Sequence, residues 1–269
     1  MLKLNQKSQG VRLMYNFLHE LLSDKKGGKI FTLFSGWHFL YIALTIISIV
    51  VVLLVCKQKS KHQKFLVTKT LIGVAFGLYI LDFFLMPLAY NEIDIEKLPF
   101  HVCTATCVAC FLSYHIPLFE KYRNSIVLLA FISNLVYLIY PAGVMWHAVS
   151  PLSYRVIQTL IFHSIMTVYG FLSLAYEREN INLKAWYKDL IVVCIMTAWA
   201  LVGNYTYNGT SQNYSHFFNW FFVVRDPFYL FPKNVAPFIM PFVNIALFGF
   251  VEMLIHVVIG VLNKKIKNK

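Results

Sequence analysis

Charge is what this chain has least of. Of its 269 residues only 13% are Asp, Glu, Lys or Arg, against 58% hydrophobic and 17% aromatic, and the mean hydropathy is +0.62. Soluble domains carry about a quarter charged residues, so this composition excludes a water-exposed shell around a single core. The short alternating apolar segments that would build a β-barrel are also missing.

Other absences narrow the choices further. The first thirty residues have no short apolar core with a small-residue cleavage site, which argues against a signal peptide. All five cysteines (Cys56, Cys103, Cys107, Cys110, Cys194) fall inside or at the ends of apolar runs, which points to buried free thiols and not to a disulfide framework. Cys103, Cys107 and Cys110 share a helical stripe, but with no further soft ligands beside them they read as small packing residues more readily than as a metal site. There is no internal repeat of the kind found in many transporters. The net charge of +12 is scattered between apolar runs. A nucleic-acid surface would cluster it beside stacking aromatics, so nucleic acid is not an expected partner.

What is present is a set of apolar runs of about the length a helix needs to cross roughly 30 Å of hydrocarbon. They cover 33–56, 70–90, 100–118, 125–146, 156–176, 189–204 and 236–262. The expected fold is therefore all-α, a polytopic bundle of about seven transmembrane helices over 33–262. Before it, residues 1–32 form a basic segment in which Val11 to Leu22 alternates apolar and polar residues, with Leu13, Phe17 and Leu21 on one side. That pattern predicts an amphipathic helix lying in the membrane interface. Residues 263–269 form a basic tail. Membrane lipids are the expected partners, a multi-pass position in the cell membrane the expected location, and no cofactor is implied.

Basic residues in short loops favour the cytoplasmic side. Lys57, Lys59, Lys61, Lys64 and Lys69 follow the first run, Lys121 and Arg123 the third, Arg178, Lys184 and Lys188 the fifth, and Lys264, Lys265, Lys267 and Lys269 the last. Against these fourteen, the alternate loops hold only Lys97, Arg155, Arg225 and Lys233. This bias puts the C-terminus inside and, with seven crossings, the N-terminus outside. Lys3, Lys7, Arg12, Lys25, Lys26 and Lys29 conflict with that placement unless residues 11–23 pass through or along the bilayer. Pro87, Pro117, Pro141, Pro237 and Pro241 mark expected bends.

On this topology His38, His101 and the Gln158–His163 segment fall in the first turns of the first, third and fifth runs, while Asp82, Tyr140 and Asn204 fall near the outer ends of the second, fourth and sixth. Ionisable groups in hydrocarbon are costly unless paired and so mark functional sites. Their coincidence at one depth predicts an outward-facing polar cavity, since the inner half of the same runs is largely Leu, Ile, Val and Phe. Each polar group paired privately with backbone, or resting in the headgroup region, is the plainer alternative. His163 lies about two turns inside its run, with Gln158 five residues earlier and Arg155 at the edge, placed to hold a lipid phosphate. Asp82 either orients a histidine or caps a buried network. A cysteine beside a histidine makes an activated nucleophile, but residues i and i+2 on a helix point apart, so Cys103 would need His163 or another base across the bundle. Three imidazoles, His38, His101 and His163, would suit a catalytic zinc only if they converged. Residues 205–235, with the sequons at 204–206, 208–210 and 213–215 and an aromatic run, suggest an interfacial lid; the sequons are glycan sites only in a secretory eukaryotic context.

LeuProPheHisValCys (98–103), IleGln…His163 and PheSerGlyTrpHis (34–38) resemble segments of bacterial YwaF-type integral membrane proteins and, more distantly, of the transmembrane protein 164 family. The resemblance covers nearly all of the apolar runs. It implies acyl transfer among phospholipids by a cysteine near the start of one span and a histidine two spans later. That histidine corresponds to His163, and ProPheHisVal (99–102) is similar to the family's Pro-Cys-His-Val. Phe100 stands in the cysteine slot, so either Cys103 substitutes as nucleophile or His101 and His163 work without a thioester. The resulting expectation is a membrane acyltransferase or transacylase with His163 as general base, His101 and Cys103 beside it, and Arg155, Gln158, Asp82, His38, Asn204 and Tyr140 lining the substrate site. The alternative is a transporter or receptor that holds a lipid or small molecule without chemistry.

Overall fold

A computed structural model describes residues 2–23, 29–90, 95–145, 148–178, 181–208 and 218–267. The chain is 78% helical, with no strand among the described residues. Among the described residues ten α-helices follow one another: α1 (Leu2–Leu22), α2 (Gly36–Val55), α3 (Lys61–Tyr90), α4 (Val102–Leu112), α5 (Pro117–Glu120), α6 (Arg123–Ile139), α7 (Ala142–Met145), α8 (Tyr154–Tyr176), α9 (Trp186–Asn208) and α10 (Ala236–Lys267).

Among the described residues six segments are helical, long and apolar enough to span a membrane: Gly36–Val55, Lys61–Pro87, Arg123–Met145, Tyr154–Tyr176, Leu183–Asn208 and Ala236–Asn263. The run at 100–118 is the exception to the sequence reading. Its helix, α4, has only 11 residues, about 16 Å at 1.5 Å per residue, too short to cross alone. The helix ends at Leu112 and the chain turns; Ile116 then precedes Pro117 and takes extended angles, φ −123° and ψ 121°, as the proline ring demands of its neighbour.

Ser35 and Ser153 start α2 and α8, their hydroxyls accepting the N–H of His38 and Val156. The core runs between α4, α6 and α8, where Leu129, Ala130, Met166, Tyr169 and Leu172 are fully buried. α6 and α8 approach closely at Gly170, where an added Cβ would stand 2.7 Å from Phe131 Cβ; small residues permit such contacts between membrane helices. α2 and α10 are peripheral, with only 11% and 17% of their apolar windows buried, so their Leu, Ile, Val and Phe side chains face outward, as lipid-facing surfaces do. A 2.9 Å bond between the Thr45 and Ser164 hydroxyls ties α2 to α8.

α1 extends beyond the expected 11–22 and packs on α3 and α8. Its Leu13, Met14, Phe17 and Leu21 remain exposed. Lys25, Lys26 and Lys269, and most of the two later sequons, lie outside the described residues. The prolines act as helix punctuation more than as breaks: Pro117 and Pro141 stand at the starts of α5 and α7, while Pro87 and Pro241 are accommodated inside α3 and α10.

Candidate functional site

The connections put the starts of α2, α4, α8 and α10 and the ends of α3, α6 and α9 at one end of the bundle. The strongly basic loops lie at the other. At the first end, the short 3-10 turn Ile95–Lys97 is pinned to α3: Lys97 Nζ lies 2.8 Å from Asp82 Oδ2, and the Tyr79 hydroxyl donates to the Lys97 carbonyl at 2.9 Å. Asp82 is buried, and its second carboxylate oxygen has no partner. Its role is to hold this turn by a charged pair, and it does not orient a histidine.

Three residues on from that turn, Phe100 is clamped between Trp199, Trp220 and Tyr207, with ring centroids 4.9, 5.2 and 5.8 Å away, while the Trp199 indole N–H donates to the Pro99 carbonyl at 2.6 Å. This clamp sets His101 at the N-cap of α4, edge-on to Phe222 at 6.4 Å, with Nδ1 buried and unpartnered.

His163, on α8, lies within electrostatic range of both His101 and Lys97. Its ring stacks on Tyr137 of α6, 3.8 Å between centroids and 12° from parallel. Nδ1 sits 2.7 Å from the Thr159 carbonyl one turn back. A carbonyl only accepts, so Nδ1 carries the proton and Nε2 the lone pair. Among the described residues the Thr159 bond is the only hydrogen bond the ring makes. The tautomer of His163 is thus set for proton acceptance, and its orientation is fixed from two sides.

Cys103 is buried, and among the described residues no hydrogen bond joins its thiol to a histidine. Gln158 accepts the Thr159 hydroxyl at 3.4 Å, and Arg155 is half-buried in the first turn of α8. Other expected site residues are used elsewhere. His38 is fully buried, with Nδ1 accepting the Phe34 N–H at 3.0 Å and Nε2 donating to the Leu138 carbonyl at 2.7 Å, so both nitrogens are spent. Tyr140 is exposed at the end of α6. Asn204 is a clamp: its amide donates to the Trp220 carbonyl and its oxygen accepts the Trp220 N–H, both at 3.0 Å. His38, His101 and His163 do not converge, and among the described residues no three His, Cys, Asp or Glu side chains are grouped as a metal would need.

The aromatic loop does lie over the Phe100–His101 segment, held by a device that sequence reading missed. Asn208 pairs both ways with Phe218, Asn219 binds Val224 and Arg225, and Asn244 donates to the carbonyls of Phe221 and Phe222. Phe221 and Phe222 both have positive φ, and the Asn244 amide satisfies carbonyls that this turn leaves without a regular helical partner. Beyond them Phe228, Tyr229 and Leu230 project outward.

A cavity of about 160 Å³ lies at the basic end, where the sequence led us to expect a largely apolar lining; Arg123, Lys188, Asp189 and His256 form part of its wall. Glu252 is fully buried nearby, one turn before His256 on α10. Asp189, Glu252 and His256 were detectable as ionisable residues inside or at the edge of apolar runs.

Six membrane-length helices with polar side chains enclosed between them define a multi-pass integral membrane protein. The model of the TMEM164 family matches residues 33–262, and the chain belongs to that family. No curated protein and no solved structure matches the chain.

Proposed function

We propose that this protein is a membrane-embedded acyltransferase or transacylase that takes its acyl group from a phospholipid or another lipid donor, with His163 as general base. The observation that carries the reading is the state of His163: Nδ1–H is tied to the Thr159 carbonyl, the ring is stacked on Tyr137, and Nε2 is left with a free lone pair. Such a base accepts the hydroxyl proton of the acceptor as its oxygen attacks the acyl ester carbonyl. The donor C–O bond then breaks, and the imidazolium returns the proton to the departing alkoxide. His101, with an unpartnered Nδ1, is the second acid or base. Lys97 adds positive charge within range of His163, where the tetrahedral oxyanion would be stabilised.

The lack of a histidine hydrogen-bonded to Cys103 among the described residues favours direct transfer over a thioester intermediate, because a thiol is activated only by a base within reach. Arg155 and Gln158, at the mouth of α8, serve the donor headgroup. The fourteen-to-four loop bias supports a reading in which this end faces the outer leaflet of the cell membrane. In the same reading residues 33–262 form the catalytic bundle, 263–269 a cytoplasmic tail, and α1 lies in the interface, its exposed Leu13, Met14, Phe17 and Leu21 meeting lipid.

Lipid mass spectrometry on membranes expressing wild type, His163→Ala, His101→Gln and Cys103→Ala tests this. Acyl redistribution should appear with wild type, vanish in His163→Ala and persist in Cys103→Ala. Loss in both His163→Ala and Cys103→Ala would restore the thiol route. Lipids unchanged by wild type and by every variant would replace catalysis by lipid or small-molecule binding or transport.

A further inference from the structure

Helices α6 and α9, 17 and 23 residues long, both begin at the basic end. α6 starts without help: Tyr122 at its N-cap makes no side-chain capping bond. The first backbone N–H groups of a helix have no partner within it, and the peptide dipoles sum to about half a positive charge there. Arg123, Asn124 and Ser125 from the first turn of α6, and Lys188 and Asp189 from that of α9, line the same cavity.

The side chains reinforce this field. The Arg123 guanidinium lies 5.4 Å from the Phe65 ring centroid and 5.1 Å from that of Tyr114. Its Nε is buried without a hydrogen-bond partner. A planar guanidinium already held in place by two rings loses little freedom on taking two oxygens of one anion. Lys188 and Lys121 add two more cations around the cavity. His256, only 4% exposed, also lines the cavity, with its Nε2 donating to Asp189.

Three carboxylates share the lining. Asp189 is engaged by His256, Glu120 is exposed, and Glu177 is partly buried, its pKa pushed up by that burial against the opposing pull of Arg123. The volume of about 160 Å³ far exceeds the roughly 10–15 Å³ that one ordered water needs.

We propose that this cavity is a binding site for a phosphate-bearing anion, held between Arg123, Lys188 and the N-terminus of α6. Phosphate at a helix N-terminus with an arginine fork is the arrangement that these donors favour. The phosphate comes either from a phospholipid headgroup in the adjoining leaflet or from solution. The site is at the far end of the bundle from His163, so it stands apart from the acyl-transfer reading.

The test is thermal unfolding of the purified full-length protein in detergent, titrated with inorganic phosphate, with chloride at matched ionic strength, or with dihexanoyl phosphatidic acid. A ligand that binds the folded state raises the unfolding temperature with concentration. Phosphate should stabilise beyond chloride, and Arg123→Gln and Lys188→Gln should each weaken the response about tenfold or more. Phosphatidic acid acting at roughly tenfold lower concentration than phosphate identifies a headgroup site, and parity identifies a soluble anion. Stabilisation no greater than chloride's with both probes overturns the proposal. So does a phosphate response retained in full by both variants.

Discussion

Gly203→Ala measures how tightly the segment that presents His101 is built. An alanine Cβ at position 203 would stand 2.3 Å from Phe100 Cγ, 2.5 Å from Cδ1 and 2.8 Å from Cβ. Phe100 has nowhere to retreat. Trp199, Trp220 and Tyr207 surround its ring, and the Pro99 carbonyl is tied to the Trp199 indole. Overpacking of this kind costs about 1–3 kcal/mol. Phe100→Ala removes the same contacts and leaves a cavity, at about 3–5 kcal/mol. Removing the ring relieves the contacts with Cγ and Cδ1 and leaves only the one with Cβ, so the double variant should cost little more than Phe100→Ala alone. The coupling energy is then most of the glycine effect, which is about 1–3 kcal/mol. Denaturant titration in mixed micelles, followed by tryptophan fluorescence, reads all four forms. Wild-type stability in Gly203→Ala, or two costs that simply add, would refute the close approach of α9 to Phe100.

Lys97→Met strands the buried Asp82 carboxylate and should cost about 3–5 kcal/mol, whereas Lys97→Met with Asp82→Leu recovers most of that; thermal unfolding of the three variants decides it, and equal losses in single and double variants would count against the pair. His38→Leu leaves the Phe34 N–H and the Leu138 carbonyl without their partner at about 1–3 kcal/mol each, yet acyl exchange per folded molecule should match wild type by lipid mass spectrometry; a specific loss of exchange would return His38 to the site. Burial works to raise the Asp226 pKa, but backbone N–H groups of Phe228, Phe231, Leu230 and Tyr229 outweigh it and hold the carboxyl below its ordinary range. A depressed folded pKa gives stability that is complete above the unfolded value of about 3.9 and lost as pH falls through the lower folded value. Trp220 fluorescence should therefore report loosening of the loop only below about pH 4, and Asp226→Asn should abolish that transition; an identical acid response in the variant would assign it to another group.

Hydropathy carried most of this fold, because a helix in lipid must be apolar along its whole length and that is written in consecutive residues. It was least exact at 100–118, where cysteine, alanine and threonine keep the run apolar but the crossing is built from the 11-residue α4, which ends at Leu112, then turns, an extended Ile116 before Pro117 and the short α5. Depth along a helix was legible too, at a fixed rise per residue, which is how His38, His101 and His163 could be assigned to one end. Rotation about the helix was not. Tyr137 and Leu138 are neighbours on α6, yet one stacks on His163 and the other accepts from His38. Lys97 was invisible as a partner of Asp82 because it comes from a turn whose path no periodicity fixes. Asp189 and His256 stand 67 residues apart on different helices, and as members of otherwise apolar runs they were averaged away. What separates a structural histidine from a reactive one in this bundle is not type, depth or burial, since His38 and His163 share all three. It is the hydrogen-bond account: His38 has both nitrogens engaged, while His163 keeps one lone pair. Only the folded partners determine that account, which is why a sequence can place the candidates at one end of a membrane without ranking them.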